Sequence, residues 1–254
     1  MNNFNKYIKM RLDNRAVGEF RAEADVLWLY DVIASDDDEA AWGGGVSPRQ
    51  FIDALGKTTG PVTIRLNSPG GSVFGAQAMV VAMRAHEHPI TVQVDSLAAS
   101  AASVIACEAS HLQIAPGAMM MIHKAWGFAI GNEADMRSTA DLLAKIDLQI
   151  AAAYAGKTGG DADEYLELMA AETWFTADEA VTAGLADEVI TSNNQKPKAA
   201  WNLSVYANAP ALTEAIHAEP AEDIEQEAAP ETVAPDLQAM RGRQLAARLV
   251  SSEI

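Results

Sequence analysis

The chain has 254 residues, of which 49% are hydrophobic, and it carries a formal net charge of −17 with a pI near 4.5. This length fits one large domain, or one domain with an appendage. The acidity argues against nucleic-acid binding, which needs a basic patch, and against an anionic membrane surface as partner.

The single cysteine, Cys107, cannot form an internal disulfide, and its alanine-rich surroundings favour a place in the core. The first fifteen residues lack the apolar stretch of a signal peptide, and no run of about 18 apolar residues follows. We therefore expect a soluble protein of the cytoplasm, with no membrane span.

The composition changes near residue 191. Residues 1–190 alternate apolar runs with Gly-rich turns and helical spacing, which predicts an α/β domain with a mainly parallel sheet. Residues 191–235 are rich in Ala, Pro and Glu, which is typical of a disordered acidic linker. Residues 236–254 regain helical spacing and predict a short C-terminal helix.

Capping signals fix the start of two predicted helices. Ser47 precedes Pro48 and an apolar helical pattern, as an N-cap serine does. Thr176 and Glu179 have the spacing of a capping box, so we assign Glu179 to helix capping. In chain order, strands are predicted over 26–33, 61–68, 89–96, 111–116, 118–126 and 187–190, and helices over 47–55, 70–86, 98–109, 133–159, 161–170 and 176–186.

A Pro-Gly-Gly turn joins the strand 61–68 to the helix that follows it. Gly70 and Gly71 allow a tight turn and a close approach of a ligand backbone, with N–H groups that can point outward. A plain strand-to-helix turn explains the same letters equally well. The turn is not a phosphate-binding loop, because no Gly-Lys-Ser/Thr follows it.

The next strand runs into "SLAASAASVIA", residues 96–106. Ser100 lies at the predicted start of a helix, where free N–H groups favour developing negative charge and where the amide of Ala101 can stabilise an oxyanion. His123, at the end of an apolar strand, is the candidate base, and Glu172 is the candidate acid that orients it. A packed Ser/Ala helix with a core histidine remains an alternative.

Four blocks together carry a family resemblance: "LNSPGGSVFGAQAM", "LAASAASVIA", "MMMIHKAWG" and "ETWFTADEAVTAGLADEV". In this order and near this spacing, residues 26–190 resemble the proteolytic subunit of the Clp protease. The resemblance implies a ClpP/crotonase-like β-α superhelix, a protruding handle helix over 133–159 and assembly into a homo-oligomeric ring.

The family's site residues carry over by motif. The resemblance implies Ser100 as nucleophile, His123 as base, and the Gly70–Gly71 pair with the amide of Ala101 as oxyanion donors. The acid departs from the family pattern: an ungapped alignment would place Leu168 there, and a shortened spacer places Glu172. Ser103 stands where the family has a small residue, and we interpret it as a packing residue.

Three stretches, "WGGGVSPRQFIDAL", "SLAASAASVIA" and "AETWFTADEAVTAGLADE", resemble the Clp-like head maturation (prohead) proteases of tailed phages more than the housekeeping subunit. This similarity implies a serine endopeptidase that cleaves scaffold and capsid proteins during head maturation and needs no cofactor and no metal. Alternatives are an ATP-dependent housekeeping subunit that docks an AAA+ unfoldase, an acyl-CoA enzyme of the crotonase superfold, and a non-enzymatic assembly module. A Ser–Lys dyad using Lys145 or Lys124 is a further alternative for the chemistry.

Overall fold

The computed structural model describes residues 3–191 and 201–210. One sheet with helices packed around it makes up this part of the chain, so the predicted α/β architecture is confirmed. Its strands are β1 Glu19–Glu23, β2 Val26–Tyr30, β3 Val62–Ser68, β4 Ile90–Ala99, β5 His111–Ile114, β6 Met119–Ile122, β7 Thr173–Thr176 and β8 Glu188–Val189. The helices are α1 Asn3–Arg15, α2 Asp37–Gly43, α3 Pro48–Leu55, α4 Val73–Ala85, α5 Ala101–Cys107, α6 Glu133–Thr158, α7 Ala162–Ala170 and α8 Ala177–Thr182.

The sheet follows the order β1-β2-β3-β4-β5-β8, and β2, β3, β4, β5 and β8 pair in parallel. β3 and the first part of β4 alternate apolar and polar residues, so one face of these strands is more deeply buried than the other. The core between sheet and helices contains fully buried Leu66, Val92, Phe51 and Met79. The predicted mainly parallel sheet is therefore present.

Strand β4 has two partners on the same edge. Its first half pairs with β5, and its second half, through Leu97, Ala98 and Ala99, pairs with β6. Strand β6 then pairs antiparallel with β7, so Ile122 lies opposite Thr173. This branching brings the ends of β4, β6 and the start of β7 to one place.

The helix predicted over 98–109 begins later than expected, at Ala101, and the strand predicted to end at Ser96 continues to Ala99. The reason is the pairing of residues 97–99 with β6, which outweighs the helical preference of the alanines. Helices α1 and α2 and strands β1 and β7 were not predicted, since their stretches carry weak apolar periodicity. Both predicted caps are present as capping boxes, at Ser47 and at Thr176–Glu179.

Residues 201–210 lie within the stretch predicted as a linker, yet they pack against the sheet. Trp201, Leu203 and Tyr206 are buried and form a second apolar cluster with β4 and β6 residues, among them Met121. The rest of the predicted linker beyond residue 191, and the predicted helix at 236–254, lie outside the described residues. Within 3–191 and 201–210, no helix combines the length and the apolar content needed to cross a bilayer.

Candidate active site

Ser100 stands at a sharp turn between β4 and α5. Its backbone has φ 56° and ψ −126°, a left-handed conformation that non-glycine residues rarely adopt and that costs about 1–3 kcal/mol. Two contacts hold the turn: the Ser100 N–H donates to the Met121 carbonyl at 2.9 Å, and the Ser103 hydroxyl donates to the Ser100 carbonyl at 2.6 Å. The turn exposes the Ser100 hydroxyl while its neighbours stay buried, as a strand-to-helix nucleophile elbow does.

His123 follows β6 directly and faces this hydroxyl. Its Nε2 atom lies 2.7 Å from Ser100 Oγ, which is hydrogen-bond distance. Burial lowers the pKa of His123 to about 4, and the negative charge of Glu172 offsets part of that shift. At neutral pH the imidazole is therefore uncharged and can accept a proton from Ser100. The structure thus brings together the two residues that the sequence proposed as nucleophile and base.

The Gly70–Gly71 turn lies beside Ser100, and neither position has room for a side chain. A Cβ on Gly70 would lie 2.8 Å from Ser100 Cβ, and one on Gly71 would lie 2.1 Å from the Ile33 carbonyl oxygen. The backbone φ angles are +91° and +145°, a region that favours glycine.

The three predicted oxyanion donors differ in availability. The Gly70 N–H already donates to Ser68 Oγ at 3.1 Å. No described residue accepts a hydrogen bond from the amide of Gly71 or of Ala101. Gly71 and Ala101 are therefore the amides free to bind an oxyanion near Ser100.

Glu172 lies in the short connection between α7 and β7, with φ 51°. Its carboxylate accepts hydrogen bonds from the backbone N–H groups of Ala207 at 2.9 Å and Asn208 at 2.6 Å. In the described part of the chain no hydrogen bond joins Glu172 to His123, and Glu172 acts on the imidazole through its charge. The structure thus places the predicted acid near the base, oriented by partners that the sequence did not indicate.

The other predicted residues have structural surroundings. Glu179 is engaged in its capping box, and Ser103 is fully buried and bonded to Tyr154. Burial raises the pKa of Cys107 to about 12, which fits the core position expected for it. Lys124 and Lys145 have exposed side chains. The geometry therefore favours a Ser–His pair over a Ser–Lys dyad.

An apolar cavity of about 390 Å³ opens in front of Ser100 and His123. Helix α1, absent from the predicted elements, contributes Tyr7 and Met10 to its wall. A cavity with an apolar lining favours the binding of an apolar group of a ligand. The remaining apolar walls include Val73, Phe74, Trp126, Phe128, Leu143 and Ile146.

Comparison with known proteins agrees with this geometry. The Clp protease family profile matches residues 51–193. The chain belongs to the Clp protease family.

Curated relatives are proteolytic subunits of the ATP-dependent Clp protease. The subunit of Leuconostoc citreum is 32% identical over 156 residues, which cover 58% of this chain and 75% of the relative. Subunit 3 of Rhodococcus jostii is 30% identical over 134 residues, covering 52% and 66%. Subunit 1 of Chlamydia abortus is 33% identical over 138 residues, covering 53% and 72%.

The Clp protease match contains Ser100, His123 and Glu172 but ends before residues 201–210. Tyr206, in that segment, lines the cavity, and its ring lies edge-on to the His123 ring with centroids 5.3 Å apart. The sequence does not predict Tyr206 as a site residue, because residues 191–235 taken together have the composition of an acidic linker. A signal was present: the seven acidic residues of the stretch 193–235 all lie after residue 210, and the aromatic residues lie before it.

Proposed function

We propose that this member of the Clp protease family is a serine endopeptidase that uses Ser100, His123 and Glu172. The observation that carries the proposal is the 2.7 Å contact between Ser100 Oγ and His123 Nε2 at a strained turn beside two free amides. A serine is a weak nucleophile unless a base takes its proton, and this pair supplies that base. The mechanism needs no metal and no cofactor.

In the acylation step, Ser100 Oγ forms a bond to the carbonyl carbon of the scissile peptide while His123 Nε2 takes the hydroxyl proton. The amides of Gly71 and Ala101 hydrogen-bond the oxyanion of the tetrahedral intermediate. The C–N bond then breaks, and His123 returns its proton to the leaving amine. Water, deprotonated by His123, then attacks the acyl-enzyme carbonyl; as the bond to Ser100 Oγ breaks, His123 returns that proton to Oγ and the acid product leaves.

Glu172 stabilises the imidazolium that forms while His123 holds the proton. Its negative charge raises the pKa of His123, so it favours the protonated ring of the transition state over the neutral ring of the resting site. The apolar cavity beside Ser100 accepts an apolar side chain of the substrate next to the scissile bond.

We further propose that the substrates are scaffold and capsid proteins cleaved during phage head maturation, in a homo-oligomeric ring. The resemblance of "WGGGVSPRQFIDAL", "SLAASAASVIA" and "AETWFTADEAVTAGLADE" to head maturation proteases supports this role. A second candidate is an ATP-dependent proteolytic subunit working with an unfoldase, which the names of the curated relatives favour.

The test compares wild type with Ser100→Ala, and Ser96→Ala serves as a control serine in β4. Wild type and Ser96→Ala should be labelled at Ser100 by a fluorophosphonate and should hydrolyse apolar peptides. Ser100→Ala should lose labelling and about 10³-fold or more of kcat. Unchanged peptidase activity in Ser100→Ala would disprove the nucleophile, and an acyl-CoA enzyme or an assembly module would stay unlabelled throughout.

Co-expression with a capsid protein and its scaffold, analysed by intact mass, tests the substrate. Discrete cleavage products with wild type, absent with Ser100→Ala, support head maturation. Degradation that appears only when an AAA+ unfoldase and ATP are added would replace this role with that of the ATP-dependent subunit.

A further inference from the structure

Residues 201–210 are anchored to the domain along their length. The Trp201 indole N–H donates to the side-chain oxygen of buried Asn67 at 2.8 Å. The backbone of Asn202 exchanges two hydrogen bonds with the Asn14 side chain of α1, at 2.8 and 3.2 Å. This segment is therefore held at its start by β3 and by α1, before it reaches the candidate active site.

Tyr206 connects three parts of the site. Its ring packs edge-on against His123, and its hydroxyl donates to the Pro69 carbonyl at 2.5 Å, directly before the Gly70–Gly71 turn. The same hydroxyl interacts with the side chain of Ser100. Tyr206 is only 8% exposed, and burial raises its pKa, so it stays neutral across the pH range in which histidine titrates.

The next two residues hold the acid. The Ala207 N–H donates to one Glu172 oxygen and the Asn208 N–H donates to the other, while the Asn208 side chain donates to the Ala171 carbonyl at 3.0 Å. A carboxylate that accepts one amide on each oxygen is fixed in rotation. Glu172 therefore takes much of its orientation from residues 207 and 208, and the neighbouring Trp174 indole N–H adds a longer hydrogen bond to Oε1 at 3.4 Å.

We propose that residues 201–210 are a positioning element of the active site, in which Tyr206 fixes the His123 ring and the amides of Ala207 and Asn208 fix the Glu172 carboxylate beside it. This inference rests on the proposed function. It extends the site beyond the part of the chain that matches the Clp protease family, which ends at residue 193.

The opposite role for Tyr206 is obstruction of Ser100. The position of the cavity argues against it, because about 390 Å³ remains open in front of Ser100 and His123, with Tyr206 as one wall. Positioning predicts that loss of the ring slows catalysis, whereas obstruction predicts that it speeds catalysis. A displacement of about 1 Å in a catalytic group costs on the order of 100-fold in rate, so the difference is measurable.

The experiment compares the full chain with Tyr206→Ala, Tyr206→Phe and Ser204→Ala, which alters an exposed side chain of the same segment. Peptide hydrolysis gives kcat and KM for each variant between about pH 3 and pH 8, and circular dichroism and thermal unfolding check the fold at each pH. Tyr206→Ala should lose about 10- to 100-fold in kcat with KM changed less than about threefold. Tyr206→Phe should keep most of kcat, and Ser204→Ala should match wild type.

The pH profile separates positioning from mere loss of fold. The acid limb of kcat/KM follows the pKa of His123, which burial lowers and the charge of Glu172 raises. Removal of the Tyr206 ring admits water to the imidazole, so the acid limb of Tyr206→Ala should move to higher pH, toward the ordinary value of 6.5. Tyr206→Phe, which keeps the ring, should keep the limb of wild type.

A kcat of Tyr206→Ala equal to or higher than that of wild type would overturn the inference. Equal losses of kcat in Tyr206→Ala and Tyr206→Phe, with an unchanged acid limb, would also overturn it. Should Tyr206→Ala fail to fold, Tyr206→Leu fills most of the space without a ring and makes the same two predictions. A wild type that labels at Ser100 while Tyr206→Ala remains fully active would refute the positioning role alone. Unchanged activity in Ser100→Ala would refute the proposed function instead.

Discussion

The two sides of the candidate site are built in different ways. On one side, Ser100 and His123 directly follow the neighbouring strands β4 and β6, and Ser100 Oγ lies 2.7 Å from His123 Nε2. On the other side, Glu172 lies in a loop with φ 51°, and its two shorter hydrogen bonds come from residues 207 and 208. Regular strand pairing thus positions the proposed nucleophile and base, whereas a separate segment contacts the proposed acid.

This difference has a consequence for how each side responds to change. Strand pairing and the buried, close-packed residues around Ser100 hold the Ser–His pair, so we expect this pair to be sensitive to backbone clashes and to loss of the Tyr206 ring. The acid depends on a few hydrogen bonds at exposed residues, so it should be sensitive to single polar changes. Substitutions on each side test this contrast.

Gly71→Ala should have the largest effect. A Cβ there would lie 2.1 Å from the Ile33 carbonyl oxygen, and the backbone of residue 71 has φ +145°. The turn must therefore move, which displaces the free N–H of residue 71 from the oxyanion. We expect kcat for peptide hydrolysis to fall about 10²- to 10³-fold, as when one oxyanion donor is removed. The matched control is Gly156→Ala in α6, where nothing lies within 4 Å, and it should keep full activity. Retained activity in Gly71→Ala would remove the turn from the oxyanion site.

Glu172→Gln should have an intermediate effect, because the carboxylate acts on His123 through charge without a hydrogen bond. We expect kcat to fall about 10- to 100-fold. Since the charge of Glu172 raises the pKa of His123, its loss should move the acid limb of kcat/KM to lower pH, opposite to Tyr206→Ala. Glu179→Gln, the same change in a capping box, is the control and should leave kcat and the limb unchanged. An unchanged profile for Glu172→Gln would mean that another group orients His123.

Ser103→Ala should have the smallest effect on catalysis and a clear one on stability. Its buried hydroxyl bonds the Ser100 carbonyl at 2.6 Å and the Tyr154 hydroxyl at 2.8 Å, so the substitution leaves a buried polar group unpaired. We expect the free energy of unfolding to fall by about 1–3 kcal/mol in a denaturant titration.

The double variant Ser103→Ala, Tyr154→Phe provides the check on that mechanism. It removes both hydroxyl groups and should recover part of the stability lost in Ser103→Ala. A double variant less stable than the sum of the two single losses would contradict a bond between these hydroxyls.

Local signals in the sequence predicted the regular side of the site. The apolar strands 61–68 and 89–96, the glycine turn and the serine run place Ser100 near the end of β4, and the apolar strand before His123 places the histidine beside it. The sequence does not predict the exact start of α5, because residues 97–99 pair with β6. This pairing is a tertiary contact, and local propensity carries no information about it.

The acid side could be predicted only in part. Chemistry and the family resemblance indicate Glu172, but nothing local indicates its φ of 51° or its backbone partners. Tyr206 escaped prediction because its contacts, such as the one with Pro69, join residues 137 positions apart. A short packed segment inside a polar stretch can be recognised in the sequence only when the composition is compared over shorter windows.

The anchoring of residues 201–210 also determines when the parts of the site come together during protein synthesis. Ser100 and His123 leave the ribosome well before Tyr206, whose hydroxyl must bond a carbonyl 137 residues earlier in the chain. Contacts of such large sequence separation form late, because a long loop must close before they are made. A nascent chain released or cut before residue 208 therefore carries Ser100 and His123 without the amides that bond Glu172. The proposed site is then complete only once residues 201–210 have been translated and docked.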